Sequence, residues 1–377
     1  MEDDIITEEV ITESKSETRK PVPQAEVHLY VRGQGPLHVL KCPLGGWDED
    51  KLDLLQIMDD YGLKALYAFN PSSGRGLPIR YNPKNGLSML SYRGKQVCID
   101  GEPKVVNHGI PEMVVEEMLK VSSEYFEVPL EERQKFMSTD VRKPIRYGTS
   151  WNQLNDTCFC WRDFLKHYCH PLDEMVHMWP SNPPQYRCVV ACYSEQVKLL
   201  ATELMAAMME HLEIKSTSIQ KTFKNGSQMM VLNCYPPCPQ PNLTLGMLPH
   251  SDYGCITILL QDEVEGLQVQ DEGLWKSVRP LPGSFLINIG DHLEVLSNGR
   301  FKSAIHRVVV NSERSRVSVA TVHSLPFHVK ISPCPELIDE HHPKMYRDTN
   351  FNDFLNSLTC SRFNGIRFLD SIKLYTT

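Results

Sequence analysis

"LPHSDYGCITILLQD", residues 248–262, decides how this chain is read. His250 and Asp252 stand two positions apart at the start of an apolar, strand-like run, and side chains at i and i+2 of a strand leave by the same face. Both can then point into one barrel mouth while Ser251 points away. By itself the stretch is half of a metal site or only the polar lip of a strand.

A third ligand must come from elsewhere, and His306 lies in a second strand-like run, FKSAIHRVVV (301–310), among apolar neighbours. Two imidazoles and one carboxylate on one face of an octahedron, with the other positions open, suit non-haem Fe(II) chemistry with oxygen. Ten residues further on, Arg316 and Ser318 share a face in RVSVATVH (316–323). A guanidinium beside a hydroxyl in an apolar barrel is a carboxylate receptor, because its planar fork can bond both oxygens. A buried arginine without an anion would be costly.

The surroundings of these residues read as a barrel. From Gln228 the apolar period is two, and QMMVLNCY, ITILLQ, LQVQ, LWKSV, SFLINIG, AIHRVVV and RVSVATVH are short strands separated by Gly, Pro, Asn or Asp turns. That pattern predicts a jelly-roll core over 228–335, followed by helix-like packing in 336–377. Upstream, 105–227 is a helical support region. VVNHGIPEMVVEEMLKVSSEYFEVPLEERQKFM gives helical spacing twice, and PPQYRCVVACYSEQVKLLATELMAAMMEHLEI is one long amphipathic helix whose methionines are core packing. Between them, 147–183 is a loop with short structured pieces. Its residues 147–164, with the barrel face at Val322, are expected to meet substrate, and Tyr147, Phe159 and Trp161 are candidates to stack on an aromatic ring.

Residues 26–104 read as a separate small α+β module. VHLYVRG, LHVLKCPL, LKALYAF, LPIRYN, LSMLSYRG and QVCID have strand character, DEDKLDLLQIMDDYG has helical spacing, and Lys84-Asn85-Gly86 signals a hairpin. Residues 1–25 are acidic and poor in aromatics, and read as a mobile tail. The fold class is therefore α+β: a double-stranded β-helix barrel on long helices, preceded by a small module.

Composition narrows the function. Of 377 residues 41% are hydrophobic, enough for a large core, and the net charge of -8 without a Lys/Arg block argues against nucleic acid as a partner. No apolar run approaches the ~20 residues that span a bilayer. The opening MEDDIITEEV has neither a cationic nor an apolar export region, so the expected setting is the cytosol. Twelve cysteines without an export signal read as reduced thiols. The pairs Cys158/Cys160, Cys188/Cys192 and Cys234/Cys238 lack the Cys-x-x-Cys spacing of a zinc site.

"NCYPPCPQP" (233–241), "LPHSD" (248–252), "GDHLEVLSNGRFKSAIHR" (290–307) and "RVSVA" (316–320), in this order, resemble the plant soluble 2-oxoglutarate- and Fe(II)-dependent dioxygenases. The nearer resemblance is to the flavanone 3-hydroxylase-like and downy-mildew-resistance-type oxygenases, from Val105 to Leu369, roughly seventy per cent of the chain. The resemblance implies that His250, Asp252 and His306 ligate iron. It implies that Arg316 and Ser318 bind the distal carboxylate of 2-oxoglutarate, that Tyr235 shares it, and that Asn233 lies near the keto-acid end. It further implies O2 as co-substrate, ascorbate as a supporting reductant, and oxidation of a small metabolite of plant specialised metabolism, aromatic or terpenoid, by hydroxylation, desaturation or demethylation.

Other histidines read blandly: His108 as a helix-entry residue, His292 as a turn residue in a hairpin with Gly290 and Asp291, and His341 and His342 as surface residues. One departure stands out. The family opens with an Ile-Pro-Val-Ile-Asp-like strand and a helix, whereas here CIDGEPKVVNHGIP enters the Asn-His-Gly motif directly from the 26–104 module. Either the module is a genuine fusion, fit to make a protein contact, or two coding segments were wrongly joined. The rival functions are an inactive or regulatory jelly-roll protein with an incomplete fold, and a zinc hydrolase, which leaves Arg316 and Ser318 without a purpose.

Overall fold

The computed structural model describes residues 22–31, 34–61, 63–94, 96–103, 108–149, 159–215, 217–360 and 367–374. The 1–21 tail, the 104–107 junction, the 150–158 part of the expected substrate loop and Cys158 lie outside them. The chain divides into two compact units, 1–103 and 104–377.

In the first unit, β1 (Gln24–Val31), β2 (Gln34–Gly45), β3 (Lys51–Leu52), α1 (Leu54–Asp60), β4 (Leu63–Asn70), β5 (Gly74–Pro78) and β6 (Gln96–Pro103) follow one another. The sheet order is β3-β2-β1-β6-β4-β5, with β1 and β6 parallel at its centre and the other pairs antiparallel, the arrangement of a β-grasp sheet. Val27, Leu29, Leu52, Leu54, Ile57 and Ile99 form its own buried core. Three expectations shift. The first strand starts at Gln24, inside the stretch read as tail, and Ala25 is buried. The helix begins at Leu54, six residues after the helical spacing does, because Asp53 caps it through the Gln56 N–H at 3.0 Å. LPIRYN and LSMLSYRG, read as two strands, meet through one isolated bridge, Tyr81 to Ser88, around the Asn85-Gly86 turn.

The second unit opens with α2 (Glu112–Glu127), α3 (Leu130–Gln134), β7 (Ile145–Gly148), β8 (Asp163–Tyr168), α4 (Leu172–Met175), α5 (Tyr186–His211) and α6 (Thr217–Lys224). It continues with β9 (Ser227–Tyr235), β10 (Met247–His250), β11 (Ile256–Gln261), β12 (Leu267–Asp271), β13 (Leu274–Ser277), β14 (Leu286–Ile289), α7 (Asp291–Leu296), β15 (His306–Val308) and β16 (Arg316–Ser324), and closes on α8 (Phe351–Cys360) and α9 (Phe368–Ser371). Two sheets, β14-β11-β16-β9-β8-β7 and β10-β15-β12-β13, make the jelly roll. The run ITILLQ is apolar throughout because both of its faces are buried. Ile256, Ile258 and Leu260 join the core shared with α2 and α5, while Thr257 and Leu259 line a cavity on the inner face. Two strands, β7 and β8, stand in the region read mainly as loop, and they extend the larger sheet at its edge.

SFLINIGDHLEV turns from strand to helix and makes no hairpin. His292 is buried in α7, its Nδ1 2.7 Å from Ser324 Oγ. His108 does enter α2: its Nδ1 accepts the Ile110 N–H at 3.2 Å. His341 and His342 are exposed. Ten of the twelve cysteines are recorded as free thiols, and no helix among the described residues is long and apolar enough to cross a membrane.

Burial pushes His167 down to about 3, His323 to about 3 and His292 to about 4. The fold holds all three neutral, so the stability they permit is complete above the ordinary histidine value of about 6.5 and is lost as pH falls through it toward those values. Asp291, raised by burial to about 7, works in the opposite sense: its contribution grows as pH drops from about 7 toward the ordinary carboxyl range, offsetting part of the loss. Each neutral imidazole is worth roughly 1 kcal/mol one pH unit below its unfolded value. The thermal midpoint should fall by several degrees from pH 7.5 to 5.5, and His167→Gln, which can keep the hydrogen bond to Tyr186 Oη, should flatten that slope. Identical slopes for wild type and variant in a pH series of melts would contradict this.

Candidate metal centre

His250 closes β10 and His306 opens β15, and the antiparallel ladder makes them direct partners. Their ring centroids are 4.2 Å apart. Each Nδ1 faces a backbone carbonyl two residues back, Leu248 O at 2.8 Å and Ala304 O at 3.2 Å. A carbonyl only accepts, so Nδ1 carries the proton and each Nε2 keeps its lone pair for a ligand.

Asp252 completes the set from a different kind of position. It lies past the end of β10 in the bend that leads to β11, so the two ligands do not share a strand face as the i, i+2 reading supposed. Its Oδ1 is 3.9 Å from His250 Nε2 and 3.7 Å from His306 Nε2. Each residue offers an atom within 4.8 Å of the others, and among the described residues this is the one such cluster of His, Cys, Asp or Glu.

The bend is held from outside. Asn288 Nδ2 donates to Asp252 Oδ2 at 3.2 Å, and the Asp291 N–H donates to the Asp252 carbonyl at 2.7 Å. Gly290 packs so tightly that a Cβ there would lie 2.1 Å from Gly254 O, so only glycine allows this approach. Burial, then His306, pushes His250 down to about 3. Burial pushes Asp252 up, but His306 and His250 outweigh it and hold the carboxyl below its ordinary range. Neutral imidazoles and an ionised carboxylate are the forms that bind a cation, so this donor set fits ferrous iron.

A cavity of about 150 Å3 runs from the triad along the inner face of the larger sheet. At one end is Arg316, 2% exposed, whose guanidinium donates to Val264 O at 3.1 Å, Gln261 Oε1 at 2.8 Å and Ser318 Oγ at 3.4 Å. Among the described residues no carboxylate lies within 4.0 Å of it. The Tyr235 ring lies 5.2 Å from the guanidinium, and Gly246 presses on that ring. Asn233 lines the same end, its Oδ1 accepting from Arg162 Nη1 at 2.8 Å. A buried guanidinium beside a hydroxyl fits the distal carboxylate of a keto diacid. The seven residues that the sequence offered for metal and 2-oxoglutarate thus meet on one cavity.

Three expected pocket aromatics do not line it. Tyr147 is buried on the opposite face of β7, where its hydroxyl donates to Asp163 at 2.8 Å; Phe159 is 60% exposed; and Trp161 donates to Pro236 O at 3.0 Å. The rings on the cavity besides Tyr235 are Phe164, Tyr168, Tyr253, Phe351 and Phe354, with Val322 as expected. Sequence reading also passed over Asn288, Arg146, Arg162 and Lys166. For Asn288 a signal existed: it is the one polar residue of an otherwise apolar strand.

The 2OG-Fe(II) oxygenase superfamily model matches residues 226–324, and the model of the non-haem dioxygenase in morphine synthesis N-terminal region matches 101–185. Flavanone 3-dioxygenase 3 of Oryza sativa subsp. japonica is 41% identical over 283 residues, 74% of this chain and 86% of that protein. Protein DMR6-LIKE OXYGENASE 2 of Arabidopsis thaliana is 38% identical over 275 residues, 72% of this chain and 79% of that one. Among solved structures, JOX2 in complex with 2OG, Fe and JA superimposes with a TM-score of 0.66 at 32% identity, over 72% of this chain and 82% of its own. The rice dioxygenase for auxin oxidation gives a TM-score of 0.62 at 26% identity, covering 72% and 90%. With relatives this similar over more than two thirds of its length, and a donor set that fits the metal, the chain belongs to the 2OG-Fe(II) oxygenases and is a 2-oxoglutarate-dependent dioxygenase.

Proposed function

We propose that His250, Asp252 and His306 hold the ferrous ion, that Arg316, Ser318 and Tyr235 bind the distal carboxylate of 2-oxoglutarate with Asn233 near its keto-acid end, and that the enzyme hydroxylates a small aromatic or terpenoid metabolite. Succinate and CO2 are the other products. The observation that carries this reading is the convergence of the three ligands and the Arg316 receptor on one cavity. The rings of Tyr168, Phe351 and Phe354 at the other end favour an aromatic substrate, in keeping with relatives named for flavanone.

Iron, when bound, supplies an open-sided redox centre that takes up the keto acid and dioxygen. The protein's part is positional. Arg316 fixes the far end of the keto acid, so that its near end meets the ligand triad. The Leu248 and Ala304 carbonyls keep the imidazoles in the binding tautomer, and Asn288 keeps the carboxylate aimed. Apolar walls at Leu259, Leu267, Val308 and Val322 exclude bulk water from the oxidising centre. A complete triad speaks against the inactive reading, and the Arg316 receptor against a hydrolase.

We divide the chain into a 1–25 tail, a 26–104 module, a 105–227 support, a 228–335 catalytic core and a 336–377 helical end. The module's separate core supports its reading as a protein-contact unit, which cross-linking of the intact chain in extracts tests: partners captured only through the barrel would contradict it. Ten free thiols support a cytosolic setting, and a fluorescent fusion directed elsewhere would overturn that.

A screen of phenolics, flavonoids, terpenoids and hormone acids, scored by substrate-stimulated succinate release, tests the activity. Replacing His250, Asp252 or His306 by alanine should reduce that release to background; undiminished release by Asp252→Ala would refute the triad. Arg316→Ala should raise the KM for 2-oxoglutarate by roughly 10- to 100-fold, the worth of hydrogen bonds to a charged group.

Two neighbours give subtler effects. Asn288→Ala should weaken ferrous binding by roughly 10- to 100-fold, as loss of an orienting partner does. In Gly246→Ala the new Cβ would fall 2.6 Å from Tyr235 Cδ1, so the ring must move and the KM for 2-oxoglutarate should rise while iron affinity is kept. Unchanged iron affinity in the first variant, or unchanged KM in the second, measured by anaerobic titration and steady-state kinetics, would contradict these assignments.

A further inference from the structure

The cavity wall has a second cationic position, four residues in register from the Arg316 rung and one inward rung short of Val322, Met229 and Tyr168. Register places the inward residues of the larger sheet in rungs. Ser318, Asn233 and Phe164 lie on one, and Ala320, Val231, Lys166 and Arg146 on the next. Arg316 is four residues along β16 from Ala320, about 13 Å of strand. Lys166 and Arg146 are direct antiparallel partners. Both are almost fully buried, Arg146 at 3% and Lys166 at 8% exposed, and Arg146 Nε donates to Ser138 O at 2.7 Å.

The contacts of Lys166 neutralise nothing. Its Nζ donates to Val141 O at 3.2 Å and Lys143 O at 2.6 Å and lies 4.7 Å from the Tyr168 ring centroid, and among the described residues no carboxylate is within 4.0 Å. One of its three N–H donors is left for the cavity. Burial, then Arg146, pulls the ammonium down to about 8, while Asp140 pulls the other way. Carbonyls alone would suit an uncharged polar side chain equally well, so a buried lysine here is an electrostatic expense that an anionic ligand would offset.

We infer that the substrate carries a carboxylate, and that Lys166 seats it on the β8 side of the cavity wall, apart from Arg316. This rests on the proposed function, because it takes the Arg316 end as filled by 2-oxoglutarate. With the acid fixed on the Lys166 rung, the hydrocarbon part of the substrate spans toward His250, Asp252 and His306 between Tyr168, Val322 and Phe354. Lys166 is then a specificity-determining residue: it selects acids over their neutral analogues and takes no part in the oxidation itself.

The test uses the full chain loaded anaerobically with Fe(II) and 2-oxoglutarate, and benzoate, cinnamate and indole-3-acetate as probes, each beside its primary amide. Binding is read by calorimetry, then succinate release in air. At least one acid should bind and stimulate release ten-fold or more better than its amide. Lys166→Gln should cut that preference to two-fold or less, and Lys166→Arg should retain it. Affinity for 2-oxoglutarate should be the same in all three proteins.

Acids binding no better than amides, no acid binding at all, or a preference that survives in Lys166→Gln would each overturn the inference. A fall in 2-oxoglutarate affinity in Lys166→Gln would assign the cation to the co-substrate and overturn it as well. Failure of the wild-type chain to bind 2-oxoglutarate with Fe(II) would instead strike the proposed function beneath it.

Discussion

The site depends on one strand pairing. Because β10 runs antiparallel to β15 with His250 opposite His306, two imidazoles from residues 56 positions apart arrive side by side, their planes tilted by 54° and both Nε2 atoms within 4 Å of Asp252 Oδ1. Neither strand is long, four residues and three, so the pairing itself contributes little. Its surroundings hold it: Val308 pairs with both Met247 and Leu267, and these three side chains pack in one apolar cluster with Tyr235 and Leu259. A carboxylate is then needed within reach of both rings, and the chain supplies it by bending immediately after His250. The bend survives only because Gly254 and Gly290 can touch.

From that fixed point the cavity is built as a graded channel. Inward residues of β16 run Arg316, Ser318, Ala320, Val322, so one strand carries the receptor for a charged group at one end and an apolar wall at the other. The cost of burying Arg316 without a carboxylate is set against hydrogen bonds to a backbone carbonyl, an amide and a hydroxyl, none of which is an anion. A site so arranged has its highest affinity for a ligand that brings the missing charge. The same logic applies at Lys166, four residues from the Arg316 rung in register.

Much of the site was legible because its parts are chemically conspicuous. Histidines and an arginine in apolar strands are costly unless used, and His250, His306, Arg316 and Ser318 could be read from alternation alone. Asp252 could be identified but not placed. The letters SDYG alternate as a strand does, while the bend that carries them is set by Gly290, 36 residues away. Tyr147 was read into the pocket because aromatics suit one. Its parity in β7, fixed only when Arg146 meets Lys166 across the ladder, sends it to the far face and Arg146 inward. In the first unit the alternation of LPIRYN and LSMLSYRG was real, yet the two runs share only the Tyr81–Ser88 bridge, Leu87 bridges to Asp53, and β4 pairs with Gly74–Pro78, which takes in only Leu77 and Pro78 of LPIRYN, and with the last strand, β6. Long-range pairing decides such cases, and a local pattern does not contain it.

The chemistry of the site requires that these three side chains hold one ferrous ion. Anaerobic equilibrium titration of the intact chain with Fe(II), read by metal content after gel filtration, should give one tightly held ion per chain, lost on changing His306 to alanine with the protein still folded. Retention of a full equivalent of iron by that folded variant would contradict the assignment of the centre.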